Sequence, residues 1–335
     1  MIRRFNLGDI LLVKRLQGQG SSFDLETALL CSPAPLSMAL LECLALNEGR
    51  CSTFVDRHSS TEQRIRGFIQ AWNRADGLAC DVAFIAPCLD GSPATSRLWC
   101  DLLDHLIVVK GHSGLQRVFA KIPIDGEATE IFRQTGFAAY ARRRVLRLDQ
   151  PTASIDPARP VSWRPLQEKD AWGLQRLWSA TTPRPVQLAE GGRAERDVDG
   201  LLPWWKTRQV KHYVLSDAGE ILAHLRASSA EDGHWMSIMV APTVLGEVRT
   251  LLSESLSFLS ARPDRPIYCA VREYQAGLEA ALEDLGFQPL ASELLMVKHT
   301  TVGVKVPVEK LSAAFEKGVE TATPISTGNS YGNAA

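Results

Sequence analysis

The chain has no long hydrophobic run. No stretch approaches the roughly 20 apolar residues of a membrane-spanning helix. The apolar run at residues 10–13 is too short for a signal-peptide core. A soluble, cytoplasmic protein without a membrane partner is therefore expected. Surplus charge is absent too: 37 Lys+Arg face 38 Asp+Glu, a net charge of -1. Residues 1–150 hold 18 basic and 16 acidic side chains, and the remainder 19 and 22, so neither half carries the field that draws nucleic acid. Paired or grouped cysteines are missing. Cys31, Cys43, Cys51, Cys80, Cys88, Cys100 and Cys269 are odd in number and include no Cys-x-x-Cys. They read as reduced core thiols of a cytosolic protein, and no metal site is expected. Nucleophile-elbow, zinc-protease, Walker and dinucleotide-binding glycine motifs are all absent. Their absence argues against a hydrolase, metalloprotease, NTPase or dehydrogenase.

What is present is an ordinary globular composition over 335 residues, with 45% hydrophobic and 22% charged side chains. That length suits about two domains. Residues 149–160, DQPTASIDPARP, break both helix and strand periodicity and read as a linker. The expected layout is a first domain at 1–149, a linker at 150–160 and a second domain at 161–302. A C-terminal strand or helix extension at 303–320 and a disordered tail at 321–335 follow, and either is a candidate surface for a partner.

One order of elements occurs twice. The first half reads strand (64–72), Asp76-Gly77 turn, strand (80–86), Pro87, helix (96–109), strand (118–122), helix (127–134), Gly136-Phe137 and strand (138–148). The second reads strand (220–228), turn at 231–233, strand (235–240), Pro242, helix (244–259), strand (267–271), helix (274–285), Gly286-Phe287 and strand (290–299). Pro87 precedes Gly136 by 49 residues and Pro242 precedes Gly286 by 44. Both glycines are placed to end a helix in the left-handed conformation, with the next Phe packing back on it.

This order, with a hairpin ending in Ala-Pro and a late helix ending in Gly-Phe, resembles the GCN5-related N-acetyltransferase (GNAT) superfamily. The resemblance implies an α/β fold, twice over: a mixed, largely antiparallel sheet with helices on both faces in two tandem domains. It also implies an acyl-CoA-dependent N-acyltransferase acting on a small-molecule or peptide amine. The acetyl-CoA arm would enter between the strand ending at Ala86 and that at 118–122, or between the strand ending at Val240 and that at 267–271. The family's pyrophosphate loop, Gln/Arg-x-x-Gly-x-Gly/Ala, cradles phosphate on backbone N–H groups at a helix start. Here the corresponding segments hold one glycine each, with Asp90 and Pro93 in the first and Glu247 in the second. Gly91, Ser92, Thr95 and Ser96 are the remaining phosphate-contact candidates in the first half, and Gly246 and Arg249 in the second. The family's tyrosine acid falls on Phe132 and Leu282, which hold no proton to give. Tyr274 is the nearest substitute. Asp81 and His234, at their strand entries, are the candidate general bases. A non-catalytic scaffold that binds a ligand or partner is the competing reading of the degenerate loops.

Two further clusters stand out. Arg142, Arg143, Arg144 and Arg147 lie on one expected strand, where alternation puts Arg142 and Arg144 on one face and Arg143 on the other. A solvated or inter-domain strand is expected there rather than a nucleic-acid contact. Trp204 and Trp205 cannot share one helix face: one is expected in the core, the other at a substrate cleft or, by preference, at the interface between halves.

Overall fold

Among the described residues, two mixed, largely antiparallel strand sets run into one another along a shared seam, giving a single thirteen-stranded sheet in the computed structural model. The structure describes residues 1–32, 34–44, 50–57, 66–124, 126–149, 163–192, 208–259, 265–275 and 277–300. The linker at 150–160, the Trp204-Trp205 pair, the 303–320 extension and the 321–335 tail lie outside the described residues.

The first half runs β1 (Ile2–Arg4), α1 (Ile10–Leu16), β2 (Ser21–Ser22), α2 (Leu25–Leu30), α3 (Pro35–Cys43), β3 (Cys51–Asp56), β4 (Gly67–Asn73), β5 (Ala79–Ala86), α4 (Pro93–His112), β6 (Arg117–Pro123), α5 (Glu127–Gln134) and β7 (Ala138–Leu148). The second runs β8 (Arg164–Pro165), α6 (Ala171–Thr181), α7 (Arg184–Glu190), β9 (Gln209–Asp217), β10 (Glu220–Ser229), β11 (His234–Val240), α8 (Val248–Leu259), β12 (Ile267–Arg272), α9 (Leu278–Asp284) and β13 (Gln288–His299). Several helix ends have a local cause. Ser92 caps α4 by accepting the Thr95 N–H, and Pro93 sits where no intrahelical donor is needed. Gly136 and Gly286 adopt φ of +82° and +92°, and the N–H groups of Phe137 and Phe287 return to the carbonyls of Phe132 and Leu282.

The strands stand in the order β1-β3-β4-β5-β6-β13-β7-β12-β11-β10-β9-β8, with β2 laid against β5. All pairs are antiparallel except β5 with β6 and β11 with β12. The last strands of the two halves are exchanged. β13 pairs with β6, Leu294 opposite Ile122, while β7 pairs with β12, Leu146 opposite Cys269. Leu294 and Met296 therefore complete the first core, with Trp99, Leu102 and Phe132. Leu146 and Leu148 complete the second, with Leu251, Leu282 and Phe287. At ~1.5–3 kcal/mol per buried large apolar side chain, neither core is complete without the other half's strand.

Strand alternation sorts the two faces. In β12, Ile267, Cys269 and Val271 face the α8–α9 layer, whereas Tyr268 and Ala270 face Leu30 of α2. Helices cover both sides of the sheet. Among the described residues no helix is long and apolar enough to cross a membrane.

Candidate functional site

In each half one parallel strand pair opens like a V. β5 and β6 are paired only from Ala79 opposite Arg117 to Asp81 opposite Phe119. β11 and β12 are paired only from His234 opposite Ile267 to Met236 opposite Cys269. Beyond these points the strands part, and the two gaps differ in what fills them.

The first gap is filled by the chain itself. Ser21 and Ser22 of β2 pair with Ile85 and Phe84 of β5, on the edge opposite β4. The Phe23 N–H donates to the Ala83 carbonyl at 2.9 Å, and the Cys88 N–H donates to the Gln19 carbonyl at 2.6 Å. Phe23 is buried edge-on against Trp99 and Phe132, with centroids 5.7 and 5.4 Å apart. Gly20 permits the approach: a Cβ there would lie 2.2 Å from the Phe84 ring and 2.8 Å from the Ile85 carbonyl oxygen. Ala86, at the end of β5, is fully buried.

The loop after β5 is closed on itself as well. Asp90 accepts hydrogen bonds from the Thr95 hydroxyl (2.6 Å) and the Ser92 N–H (3.0 Å). These bonds hold the Asp90 carboxyl below its usual range. Ser92 caps α4, and Ser96 donates to Glu127 and to the Ser92 carbonyl. Gly91 takes φ +78° to make this turn. A carboxylate thus stands at the helix start, where a phosphate would need donors. Asp81 lies in the paired part of β5, ahead of the gap. Arg74 holds it with two hydrogen bonds of 2.7 and 2.8 Å and itself stacks over Phe119 at 3.9 Å. A carboxylate so engaged has both oxygens committed.

The second gap is bridged by one side chain. Gln275 Nε2 donates to the Ile238 carbonyl at 2.8 Å, while its Oε1 accepts from the Arg272 N–H at 2.8 Å. The Ala241 N–H donates to Leu222 on β10, so period-two alternation turns the backbone groups of Ile238 and Val240 toward the gap. A cavity of about 150 Å³ opens here on the α2–α6 face. Trp178 of α6 and Trp235 of β11 wall it, and Ser237, Ile238, Tyr274 and Gln275 line its inner end. Tyr274 lies in the turn before α9 rather than in the helix expected over 274–285, which places its ring at this cavity. Its hydroxyl accepts from Arg272 at 3.1 Å, and Arg272 in turn reaches Glu190 at 2.5 Å. Burial raises the Tyr274 phenol above its usual pKa. His224, also lining the cavity, is pushed down to about 3, chiefly by burial and then by His212 and Arg226. It is a neutral imidazole, 3.1 Å from the His212 ring nitrogen.

The other predicted residues stand apart from this cavity. His234 is buried, bonded through Nδ1 to the Ser229 hydroxyl at 2.8 Å. By alternation it shares a sheet face with Met236 and Ile238, which pack under α8, so it faces away from the cavity. Gly246 lies in a 3-10 turn, Pro242–Glu247, that runs straight into α8 in place of a glycine loop. Arg249 is exposed at the start of α8. Phe132 and Leu282 are fully buried core residues. Sequence reasoning missed Gln275, Lys121 and Glu26, which line the cavity from three separate elements. Arg143 belongs to the predicted basic strand and bonds Glu293 at 2.5 Å across the seam. Its long-range pairing left no local signal.

No family model matches the chain, and no curated protein matches it. Its fold has solved counterparts. A GCN5-related N-acetyltransferase from Sphaerobacter thermophilus superposes with a TM-score of 0.53 at 16% identity, over 90% of this chain and 95% of that one. A tandem GNAT protein from the clavulanic acid biosynthesis pathway, solved without AcCoA, superposes with a TM-score of 0.54 at 14% identity, over 90% and 98%. The fold is therefore the mixed α/β fold of the GNAT acetyltransferases, present twice in tandem.

Proposed function

We propose that this protein is an acyl-CoA-dependent N-acyltransferase of the GNAT type, with one working cleft, in the second half. It would move an acetyl or other acyl group to an amine. The observation that carries this reading is the β11–β12 pair, which ends at Met236 and Cys269 and opens onto a cavity containing Tyr274. The first half does not fit the cofactor: its gap holds Phe23 and its helix start holds Asp90.

The second gap fits the amide-bearing arm of acetyl-CoA once Gln275 swings aside. Ile238 and Val240 would then offer strand-edge hydrogen bonds to that arm. Gly246 and Arg249, at the exposed turn before α8, are the residues nearest to a phosphate role. Bound there, acetyl-CoA would supply an activated thioester. Tyr274, with its raised pKa, keeps its proton at neutral pH and suits a donor to a departing thiolate. Trp178 and Trp235 give the cavity two largely apolar walls.

A second reading, a scaffold that binds a ligand or partner in the same cleft, draws on the two altered loops. Thiol release from acetyl-CoA with a panel of small primary amines separates them. The enzyme reading expects release above buffer, with Tyr274→Phe lowering kcat at least tenfold and leaving KM for acetyl-CoA within threefold. Tight acetyl-CoA binding without release for any amine supports the scaffold.

A further inference from the structure

The cavity beside Tyr274 is lined by an unusual number of cations. Lys121 of β6, Arg143 of β7, Arg226 of β10 and Arg272 of β12 all border it, and Glu26 of α2 is the carboxylate among its lining residues. The three arginines are each matched: Arg226 bonds Glu26 at 2.8 Å, Arg143 bonds Glu293 at 2.5 Å, and Arg272 bonds Glu190 at 2.5 Å. Glu26 is shared with a second arginine, Arg208, at 2.5 Å. Lys121 is half-buried and makes no side-chain hydrogen bond or ion pair among the described residues. The cluster therefore carries more positive than negative charge. Part of that excess sits on one uncommitted ammonium group facing a partly enclosed space. His224 is neutral and adds no cation. In such a setting a cation is worth more to an incoming anion than it would be in open water.

Size limits the anion. About 150 Å³ is room for a benzene-sized ligand, on the order of six non-hydrogen atoms. One free ammonium matches a single negative charge better than a phosphate dianion. We infer that this cavity is the acceptor subsite and that it takes a small amine bearing a carboxylate, of amino-acid size, with the carboxylate on Lys121 and the amine toward Tyr274. The inference deepens the acyltransferase reading and rests on it for the role of acceptor.

Two features of the fold agree with it. Lys121, Glu26 and Arg143 come from the first half of the chain, while Arg226, Arg272 and Tyr274 come from the second. The exchanged strands β7 and β13 bring them together, which gives the filled first half a part in recognition. The indole walls of Trp178 and Trp235 suit a short aliphatic side chain better than a second charge.

The test is calorimetric titration of the full chain with alanine, alanine amide, ethylamine and inorganic phosphate, with and without excess CoA. Alanine is expected to bind at least tenfold more tightly than its amide or ethylamine. Lys121→Met is expected to weaken alanine at least tenfold, and Lys121→Arg to restore it to within threefold. Equal binding of alanine and its amide, unchanged affinity in Lys121→Met, or tighter Lys121-dependent binding of phosphate would each overturn the inference. Acetyl-CoA titrated in parallel separates the two claims. Acetyl-CoA binding without alanine binding overturns the carboxylate subsite and leaves the acyltransferase reading standing. Lys121-dependent alanine binding without acetyl-CoA binding keeps the subsite and overturns the acyltransferase.

Discussion

Gln275 closes the second gap by donating its side-chain amide to the Ile238 carbonyl at 2.8 Å. Counting along the parallel pairs, Ile238 stands where Ala83 stands in the first half, and there the carbonyl accepts the Phe23 N–H at 2.9 Å. One gap is closed by backbone and a buried aromatic ring, the other by a half-buried side chain that can rotate away. A net hydrogen bond is worth ~1 kcal/mol, or about fivefold in an equilibrium. Gln275→Ala is expected to raise acetyl-CoA affinity by about that factor in calorimetry, and an unchanged or lower affinity would show that Gln275 is no gate.

Gly20 is predicted to be required for folding and irrelevant to the working site. A side chain there meets the Phe84 ring and the Ile85 carbonyl, so Gly20→Val should cost ~1–3 kcal/mol through overpacking. Urea denaturation would read the loss, and acetyl-CoA affinity of the folded fraction should stay within twofold.

Asp81 is predicted to be structural. Breaking its pair with Arg74 costs about 3 kcal/mol, because both side chains are largely buried. Asp81→Asn should therefore lower stability while leaving kcat within threefold. A large fall in kcat with stability intact would instead make Asp81 the base.

His224 gives a pH prediction with a definite sign. Its pKa is depressed in the folded protein to about 3, against about 6.5 when unfolded. Its contribution to stability is complete above about 6.5. It is lost as pH falls toward 3, because only the unfolded chain takes up the proton in that window. The slope from this residue is at most about 1.4 kcal/mol per pH unit. His224→Gln should flatten the decline in unfolding free energy between pH 6.5 and 5, measured by denaturant titration.

The exchanged strands predict one cooperative transition. A chain stopped after Phe287 loses β13, and with it Leu294 and Met296 from the first core. Circular dichroism should find the first half unfolded along with the second, although residues 1–149 remain intact in sequence.

Much of the repeat was legible. The Asp76-Gly77 turn, the α5 span at 127–134 and the two Gly-Phe helix ends fall where period and turn chemistry put them. A further repeat was written in the chain and passed over. Arg3 clamps Asp9 at 2.9 Å and Arg164 clamps Asp170 at 2.6 Å, six residues apart in both halves. Each carboxylate also accepts a backbone N–H, from Asn6 and from Gln167. The strand exchange left no trace because β7 and β13 carry interchangeable alternation, and period alone does not name a partner strand. The plug was hidden for a similar reason. Gly20-Ser21-Ser22-Phe23 has too few residues to show a period, and its role depends on the edge of β5, where Ser22 meets Phe84 and Ser21 meets Ile85, far away in sequence. Tyr274 is legible only as the nearest tyrosine to the family's position, and the other groups around it come from seven further elements that only the folded sheet assembles.

The central claim, one acyl-CoA cleft and in the second half, is tested most directly by the stoichiometry of acetyl-CoA binding. Calorimetric titration of the full chain should give one site per chain. Gln275→Trp, which wedges a larger side chain into the second gap, should abolish it at an unchanged melting temperature, whereas Gly91→Trp in the first-half loop should leave it intact. Two sites per chain, or a single site lost in Gly91→Trp and kept in Gln275→Trp, would contradict the account.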